Sequence, residues 1–285
     1  MDKVKKQSEF VRVMKQMSKN KLAMFGLIIL LAELVLVLLA PVIAPYEYSY
    51  MDAMAMQQGP SAAHWFGTDE LGRDIFSRVL YGGRYSITMG LFAVLISQTM
   101  GIALGAVAGY FGGQVDNVMM RALDIVQSLP AMLLSIVLST VLGPGYMNTI
   151  LALSVNGMPG AARMLRAQMM KVRDCEYIEA AQSINCSKFR IIVNHMIPNS
   201  FSPNIVQATM GVAHMITMAA SLSFIGLGVQ PPTPEWGAML SGSRQFIRQC
   251  PHMVIFPGLA IAITILALNL MGDGLRDALD PKLKR

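Results

Sequence analysis

The stretch that decides the fold of this chain is Glu176–Asn199, EYIEAAQSINCSKFRIIVNHMIPN, a polar interruption between apolar segments. Apolar residues in its first half recur at the i, i+3, i+4, i+7 spacing of one helix face. These residues are Tyr177, Ala180, Ala181 and Ile184. The same spacing returns in the second half, at Phe189, Ile192, Val193 and Met196. The pattern therefore predicts two short amphipathic helices.

A short break separates these two helices. Asn185 is a residue type that tolerates the left-handed backbone conformation with which many helices end. Ser187 can cap the next helix, because its hydroxyl can accept a hydrogen bond from a free backbone amide. Pro198 has no N–H to donate and is expected to end the second helix. The stretch predicts a helix, a sharp turn and a second helix.

The rest of the chain is predominantly apolar. Of its 285 residues, 54% are hydrophobic and 14% are charged, and the mean hydropathy is +0.48. Soluble domains carry about 25% charged residues, so this composition predicts an all-α integral membrane protein with several spans. Cys175, Cys186 and Cys250 form no CxxC pair, and we expect them to be free thiols.

Six segments are candidates for membrane-spanning helices, which need about 20 apolar residues. They are residues 22–44, 86–111, 120–142, 146–164, 203–229 and 253–271. The third reaches spanning length only if its helix begins near Met120 and kinks at Pro130. The fourth is interrupted between Asn156 and Gly160. The first is too long for the apolar region of a signal peptide and carries Glu33 in its middle, so we expect an uncleaved helix.

Lysine and arginine are concentrated on one side of these spans. Eighteen of them lie in residues 1–21, at Arg121, and in residues 163–190 and 276–285, whereas the other loops hold five. Because cytoplasmic loops carry the excess of Lys and Arg, both termini and Glu176–Asn199 are predicted to be cytoplasmic. This placement explains the net charge of +6 without a nucleic-acid partner.

The predicted organisation follows from the spans and their sidedness. It comprises a basic tail at 1–21, a first membrane helix at 22–44, an extracytoplasmic segment at 45–85, a membrane core at 86–273 with a cytoplasmic loop at 164–202, and a tail at 274–285.

The predicted cytoplasmic loop is about 40 residues long, where most connections have about 4–6. A solvated loop is one interpretation, but two amphipathic faces need something to cover them. Glu176 and Glu179 would be repelled by anionic lipid, so the pattern favours a protein partner over the membrane surface.

The loop resembles the EAA loop of ABC-importer permeases, through Glu179-Ala180-Ala181 and, further on, His195-Met196-Ile197-Pro198-Asn199. Four other blocks are similar to the second permease subunit of dipeptide and oligopeptide importers. They are HWFGTDELGRDIFSRVLYGGRYS (64–86), GYFGGQVDNVMMRALDI (109–125), QPPTPEWGAML (230–240) and NLMGDGLRDALDPKLK (269–284). Asn185 departs from the family, which commonly has Gly there.

The resemblance implies the type I ABC-importer permease fold, with six transmembrane helices in a bacterial cytoplasmic membrane. The implied partners are a sister permease, two ATPase subunits and an extracytoplasmic substrate-binding protein. ATP and Mg would be bound by the ATPases, so this chain is expected to hold no cofactor and not to be an enzyme. The implied ATPase-coupling residues are Glu176, Tyr177, Glu179, Ala180, Ala181, Ile184 and Asn185. The implied contacts with the binding protein are Gln230, Pro231, Pro232, Glu235 and Trp236.

The implied cargo is a dipeptide or oligopeptide. Nickel or other metal chelates, opines and glutathione, which close relatives carry, stay open as alternatives. A membrane-embedded enzyme would need paired carboxylates or histidine clusters at one depth of the bilayer, and the sequence shows none. A standalone channel or secondary transporter would not need the docking loop.

Other motifs carry less weight. The chain has no Gly-Lys dipeptide and hence no GxxxxGK[ST] loop, so it is not expected to bind ATP itself. LSGSRQ at 240–245 resembles an ATPase signature sequence, but it lies on the predicted outer side and is interpreted as coincidence. Gly101, Gly105 and Gly109 form two overlapping GxxxG units that favour helix packing inside this bundle over pairing with a sister permease.

Several polar residues lie at predicted membrane depth, where polar groups are costly and often functional. They are Glu33, Gln98, Asn156 and His214. Asn156 and His214 are the candidates for lining a translocation pathway, and hydrogen bonding between helices is the alternative for all four. Cys250 and His252 supply too few ligands for a metal site.

The outer segment carries a dense cluster of charges of both signs. It consists of Asp69, Glu70, Arg73, Asp74 and Arg78. Glu70–Asp74 and Asp74–Arg78 are spaced i, i+4, and the second pair has opposite charges. We interpret the cluster as a solvated or self-paired surface.

Overall fold

The computed structural model describes residues 9–279, and side chains from residue 13 onward. Within this range the chain is helical apart from loops and one isolated β-bridge between Thr68 and Asp74. The lysines and arginine predicted to be cytoplasmic at Lys3, Lys5, Lys6, Lys282, Lys284 and Arg285 lie outside the described residues.

The helices follow the chain in this order: α1 Glu9–Met17, α2 Lys21–Leu38, α3 Ala40–Ile43, α4 Ile75–Phe111, α5 Gly113–Gln127, α6 Ala131–Leu142, α7 Tyr146–Arg173, α8 Glu176–Ser183, α9 Lys188–Arg190, a π-helix Ile191–Met196, α10 Ile197–Ser200, α11 Ser202–Phe224, α12 Trp236–Ser243 and α13 His252–Leu279. Two 3₁₀ turns lie at Ala53–Ala55 and Arg244–Phe246.

Four helices are long and apolar enough to cross a membrane: α2, α4, α11 and α13. Polar side chains cap the starts of two of them, α2 and α4. Asn20 accepts hydrogen bonds from the first amides of α2, and Asp74 accepts from the Ser77 N–H at 2.7 Å to start α4. Helix α4 therefore begins at Ile75, earlier than the predicted span at 86, because the cap and not the onset of the apolar run sets its first turn.

The third predicted span is not a kinked helix. Helices α5 and α6 are separate and meet at 84° across residues 128–130. Pro130 has extended backbone, with ψ 133°, and a proline also disfavours the helical conformation in the residue before it. The break is therefore a corner, and only the bent pair together reaches spanning length.

The fourth predicted span is longer and more regular than expected. Helix α7 runs without interruption for 28 residues, through Gly157, Pro159 and Gly160. A proline inside a buried helix is tolerated where neighbouring helices pack around it, and Pro159 is buried. The predicted interruption is wrong, because packing against neighbouring helices outweighs the low helix propensity of glycine and proline.

The most extensive helix packing among the described residues joins α4 to α7. A Cβ atom at Gly101 would lie 2.5 Å from the Ala161 Cβ, and one at Gly105 would collide with the Ala162 carbonyl. Gly109 lies against Met169 and Arg166. The GxxxG stripe thus packs inside this bundle, as the favoured interpretation predicted.

The helices define two ends of the bundle. The loop end carries residues 174–201, and the cap end carries residues 45–74. Helix α2 leaves the loop end beside α13, since Gly26 lies against Leu270 and Gly274 against Ala23. The described chain therefore begins and ends at the loop end.

The charged cluster at the cap end is buried and paired within itself. Arg73 Nε donates to Asp69 Oδ2 at 2.6 Å, and Arg78 Nε lies 3.5 Å from the same carboxylate. Asp74 instead accepts from the Ser77 amide and pairs with His64 Nδ1 at 3.0 Å. The cluster is thus self-paired, but Arg78 pairs with Asp69 and not with Asp74, because capping α4 takes the Asp74 carboxylate.

Glu235 and Trp236 are also buried at the cap end, each 1% exposed. The Glu235 carboxylate accepts from the Gly237 and Ala238 amides and from the Ser86 hydroxyl, and the Trp236 indole donates to the Val79 carbonyl at 2.9 Å. These two residues start α12 and pack it on α4. Of the five residues predicted to contact a binding protein, these two are thus buried within this chain, whereas Gln230, Pro231 and Pro232 are exposed.

We predict that Gly105→Val destabilises the chain, because the new side chain collides with the backbone of α7. Overpacking of this kind costs about 1–3 kcal/mol, which corresponds to about 2–4 °C in unfolding midpoint per kcal/mol. Thermal unfolding in detergent measures the change. Gly59→Val is the control, since among the described residues no heavy atom lies within 4 Å of its added Cβ. Equal midpoints for the two variants would contradict the packing role.

A second prediction concerns pH. Burial raises the pKa of Glu235 above its ordinary 4.5, although the Gly237, Ala238, Ser223 and Ser86 hydrogen bonds oppose the shift. The folded state then holds the proton more tightly than the unfolded state. The contribution of Glu235 to the free energy of unfolding is therefore largest below pH 4.5 and falls as pH rises through the raised pKa.

Glu235→Gln removes this titration. Unfolding midpoints measured from pH 5 to pH 8 should fall more steeply for the wild type than for the variant. Glu47→Gln, at an exposed carboxylate, should follow the wild-type curve. Parallel curves for the wild type and Glu235→Gln would refute the assignment.

Candidate functional site

Residues 174–201, called here the loop segment, begin with a helix and a turn of the predicted kind. Asn185 has a φ of 58°, in the left-handed region. The Cys186 amide donates to the Ala181 carbonyl at 3.1 Å, and the Asn185 amide to the Gln182 carbonyl at 2.9 Å. This pair of bonds is the Schellman ending of a helix. The Ser187 hydroxyl then accepts from the Arg190 amide at 3.4 Å, so the predicted turn and cap are both confirmed.

The second half of the loop segment differs from the prediction. Pro198 does not end a helix but lies in α10, and the chain continues into α11. Before it, Ile191–Met196 forms a π-helix. Pro198 has no amide to bond the preceding turn, so that turn is free to widen. The widened turn places both Ile191 and Met196 in the core, at 1% and 0% exposure.

The side of the loop segment that faces the bundle is apolar. Ile178, Ala181, Ile191 and Met196 form one cluster with Ala106 of α4 and Leu165 and Met169 of α7. Sequence spacing assigned Ala181 to the docking face, but it is buried with Ile178 against this chain's own helices. The face of α8 is therefore rotated from the predicted one, because α4 and α7 compete with any partner for the more continuous apolar stripe.

The opposite side of the loop segment is exposed and partly apolar. The exposed fractions are 45% for Tyr177, 80% for Ile184 and 77% for Phe189. We call this the exposed loop face; it also includes Glu176, Glu179 and Ala180. Desolvation and the neighbouring Cys175 raise the pKa of the Tyr177 phenol, which keeps it neutral. The face combines apolar side chains with two carboxylates.

The loop segment is also tied to the end of α4. The Lys188 ammonium lies 5.6 Å from the centre of the Phe111 ring, a cation–π contact. Ser183 and Asn199 bond backbone carbonyls within the segment. The cation–π contact adds to the apolar packing between the loop segment and α4.

Polar groups at membrane depth mostly pair between helices. Thr264 donates to Glu33 at 2.5 Å, which joins α13 to α2. Asn156 donates to Ser135 and to the Ala131 carbonyl of α6. Asn204 donates to Gln98 at 3.4 Å. Glu33, Gln98 and Asn156 thus follow the interhelical alternative.

His214 is placed differently. It is exposed on α11, on a stripe at i, i+3, i+4 spacing that contains Gln207, Met210, His214, Thr217 and Ser221. Among the described side chains, Asn156 bonds α6 and has no hydrogen bond to His214. The stripe as a whole was missed from the sequence, although its spacing is visible there.

Two family descriptions match the chain. Residues 101–285 match the binding-protein-dependent transport system inner membrane component, and residues 8–60 match the N-terminal transmembrane domain of oligopeptide transport permease C. Solved structures with a similar fold include inward-facing conformations of the MetNI methionine ABC transporter, with a TM-score of 0.57 at 16% identity over 71% of this chain and 96% of that one. An amino acid ABC transporter crystallised with histidines gives 0.53 at 14% identity, over 70% of this chain and 92% of that one.

Curated relatives cover nearly the whole chain. The dipeptide transport system permease protein DppC of Alkalihalophilus pseudofirmus is 46% identical, over 95% of this chain and 89% of its own length. The glutathione transport system permease protein GsiD of Pectobacterium atrosepticum is 45% identical, over 86% and 82%. These matches, together with the four apolar helices, place the chain in the bacterial inner membrane, and it belongs to the family of inner membrane components of binding-protein-dependent transport systems, the permeases of ABC importers.

Proposed function

We propose that this chain forms, with a sister permease, the pathway through which an ATP-driven importer moves short peptides, and that it meets its ATPases through the exposed loop face. The observation that carries the proposal is the two-sided loop segment. One side is packed on α4 and α7 through Ile178, Ala181, Ile191 and Met196. The other side presents Tyr177, Ala180, Ile184 and Phe189 to the outside.

The coupling proposal differs from the sequence prediction in its residues. Ala181 is removed from the docking face, and Phe189 is added to it. Glu176 and Glu179 stay at its edge, where their charge can orient a partner. Asn185 acts by closing the Schellman turn, so it sets the angle of α8 and does not need to touch the ATPase.

For the topology, we propose six membrane crossings with both termini cytoplasmic. The direction of the chain alternates between the loop end and the cap end along α2, α4, the α5–α6 pair, α7, α11 and α13. Helix α7 and the bent pair supply the two crossings beyond the four long apolar helices. The predicted excess of Lys and Arg on the loop-end side supports a cytoplasmic loop segment.

For the pathway, we propose that the α11 stripe lines it. An exposed histidine on a spanning helix is costly against lipid, so this face needs water or a protein partner. His214, Thr217 and Ser221 offer hydrogen-bonding groups, which suit the amide groups of a peptide. We leave Asn156 out of the proposed pathway, because its side chain bonds α6.

The relatives support a peptide cargo in a broad sense. One is named for dipeptides and one for glutathione, itself a short peptide, at nearly equal identity. The binding protein is proposed to meet the cap end at Gln230, Pro231 and Pro232, which stay exposed. ATP and Mg are proposed to be bound by the ATPases, with hydrolysis there and not in this chain.

We predict that Ile184→Ser uncouples this chain from its ATPases. Ile184 is 80% exposed, so its truncation leaves the fold intact but removes an apolar contact. Loss of a central interface contact costs more than 1 kcal/mol, so we expect about a tenfold fall in ATPase recovery with the purified permeases. Uptake of labelled glycyl-leucine into proteoliposomes should fall with it.

Val42→Ser is the matched control, because Val42 is 81% exposed at the opposite end of the bundle. It should leave ATPase recovery and uptake unchanged. Normal recovery with Ile184→Ser would reject the exposed loop face as the docking surface. A wild-type complex that retains its ATPases but transports neither glycyl-leucine nor glutathione would reject the peptide cargo and leave the docking surface standing.

The pathway proposal predicts water access along α11. After Cys175, Cys186 and Cys250 are replaced by serine, single cysteines at His214, Thr217 and Ser221 should react with a charged, water-soluble thiol reagent in the assembled transporter. A cysteine at Leu95, 56% exposed on the side of α4 expected to face lipid, should react at least about tenfold more slowly, because thiolate formation needs water. Equal labelling of all four positions would refute a pathway along this stripe.

A further inference from the structure

Helix α5 is connected to α4 and to α6 by two sharp turns. At its start, Gly112 and Gly113 have φ values of 61° and 52°, a conformation that glycine adopts without strain. At its end, residues 128–130 turn the chain by 84° into α6. Neither connection continues a helix, so the covalent chain alone does not fix the orientation of α5 relative to α4 and α6.

Apolar packing anchors α5 only weakly. Leu123 is its one buried apolar side chain among the described residues, at 4% exposure. On the other side, Val115, Val118 and Ile125 are 43%, 67% and 72% exposed. Contacts other than packing must therefore hold the orientation of α5.

Two ion pairs with α7 supply those contacts. Both carboxylate oxygens of Asp116 accept from the Arg166 guanidinium, which makes a bidentate pair, and Asp116 is 7% exposed. Asp124 and Arg163 meet at 2.7 Å, but their side chains are 57% and 37% exposed. A bidentate pair fixes direction as well as distance, and exposed pairs contribute little. The Asp116–Arg166 pair is therefore the dominant restraint.

Arg166 lies where the loop segment and α4 meet α7. A Cβ atom at Gly109 would lie 3.3 Å from the Arg166 carbonyl oxygen. Its neighbours Leu165 and Met169 carry the buried side of the loop segment. Arg166 thus projects from the part of α7 that packs directly against the loop segment.

We propose that Asp116 and Arg166 are positioning residues that make α5 follow α7 when the loop segment moves. This rests on the proposed coupling to ATPases. A displacement of the exposed loop face passes to α7 through the packed cluster, and the bidentate pair passes it to α5. Helix α6, joined to α5 at the corner, then changes its position beside the pathway.

The test uses the assembled transporter in proteoliposomes, with the three native cysteines replaced by serine and spin labels at Val118→Cys and Met170→Cys. Both sites are exposed, at 67% and 37%. Distances are measured without nucleotide and with ATP and vanadate. In the wild type we expect one narrow distance between α5 and α7 in both states. In Asp116→Asn we expect a broadened distance that differs between the states, with glycyl-leucine uptake about tenfold lower.

ATP hydrolysis in Asp116→Asn should stay within about twofold of the wild type, since the docking surface is intact. Asp124→Asn, at the exposed pair, is the matched control and should keep the narrow distance and uptake. Arg166→Lys, which keeps the charge but loses the bidentate geometry, should fall between the wild type and Asp116→Asn.

Three outcomes would overturn the inference. One is an unchanged distance and normal uptake in Asp116→Asn. Another is loss of the ATPases from the purified Asp116→Asn complex, which would make the pair a folding contact. The third is a wild-type chain that recruits no ATPase, which would overturn the proposed coupling as well. The first two leave that coupling standing, so the failures are distinguishable.

Discussion

The structure depends on the close approach of α4 and α7. In a bilayer the hydrophobic effect does not drive helices together, so association needs tight packing and hydrogen bonds. Gly101, Gly105 and Gly109 remove the side chains that would separate the two backbones, and Ala161 and Ala162 complete the contact. This pair then forms the platform on which the loop segment packs, since Ala106, Leu165 and Met169 line the same seam.

Lipid offers no hydrogen-bond partners, and this constraint explains where the polar side chains lie. Glu33, Asn156 and Asn204 each find a partner on a neighbouring helix, because an unpaired polar group in hydrocarbon is costly. His214 and Thr217 stay exposed on α11. Their exposure is informative for that reason, because polar residues exposed on a membrane-spanning helix need water or a partner chain beside them.

Local signals in the sequence predicted local structure well. Asn185 and Ser187 predicted a turn and a helix cap, and both are present. Periodicity indicated amphipathic helices but could not identify which neighbour covers which face, so it assigned Ala181 to the wrong side. The buried positions of Glu235 and Trp236 escaped prediction for a similar reason, because their partners on α4 are about 150 residues away in the chain.

The π-helix shows how function and folding meet in the loop segment. An α-helical Ile191–Met196 would present residues five apart to different directions, and only one of Ile191 and Met196 could reach α7. The wider turn brings both inward and leaves Phe189 and Val193 exposed. A segment packed this firmly on one side can transmit a push on its other side without first unfolding. That property is what a docking surface needs if its movement is to reach membrane helices.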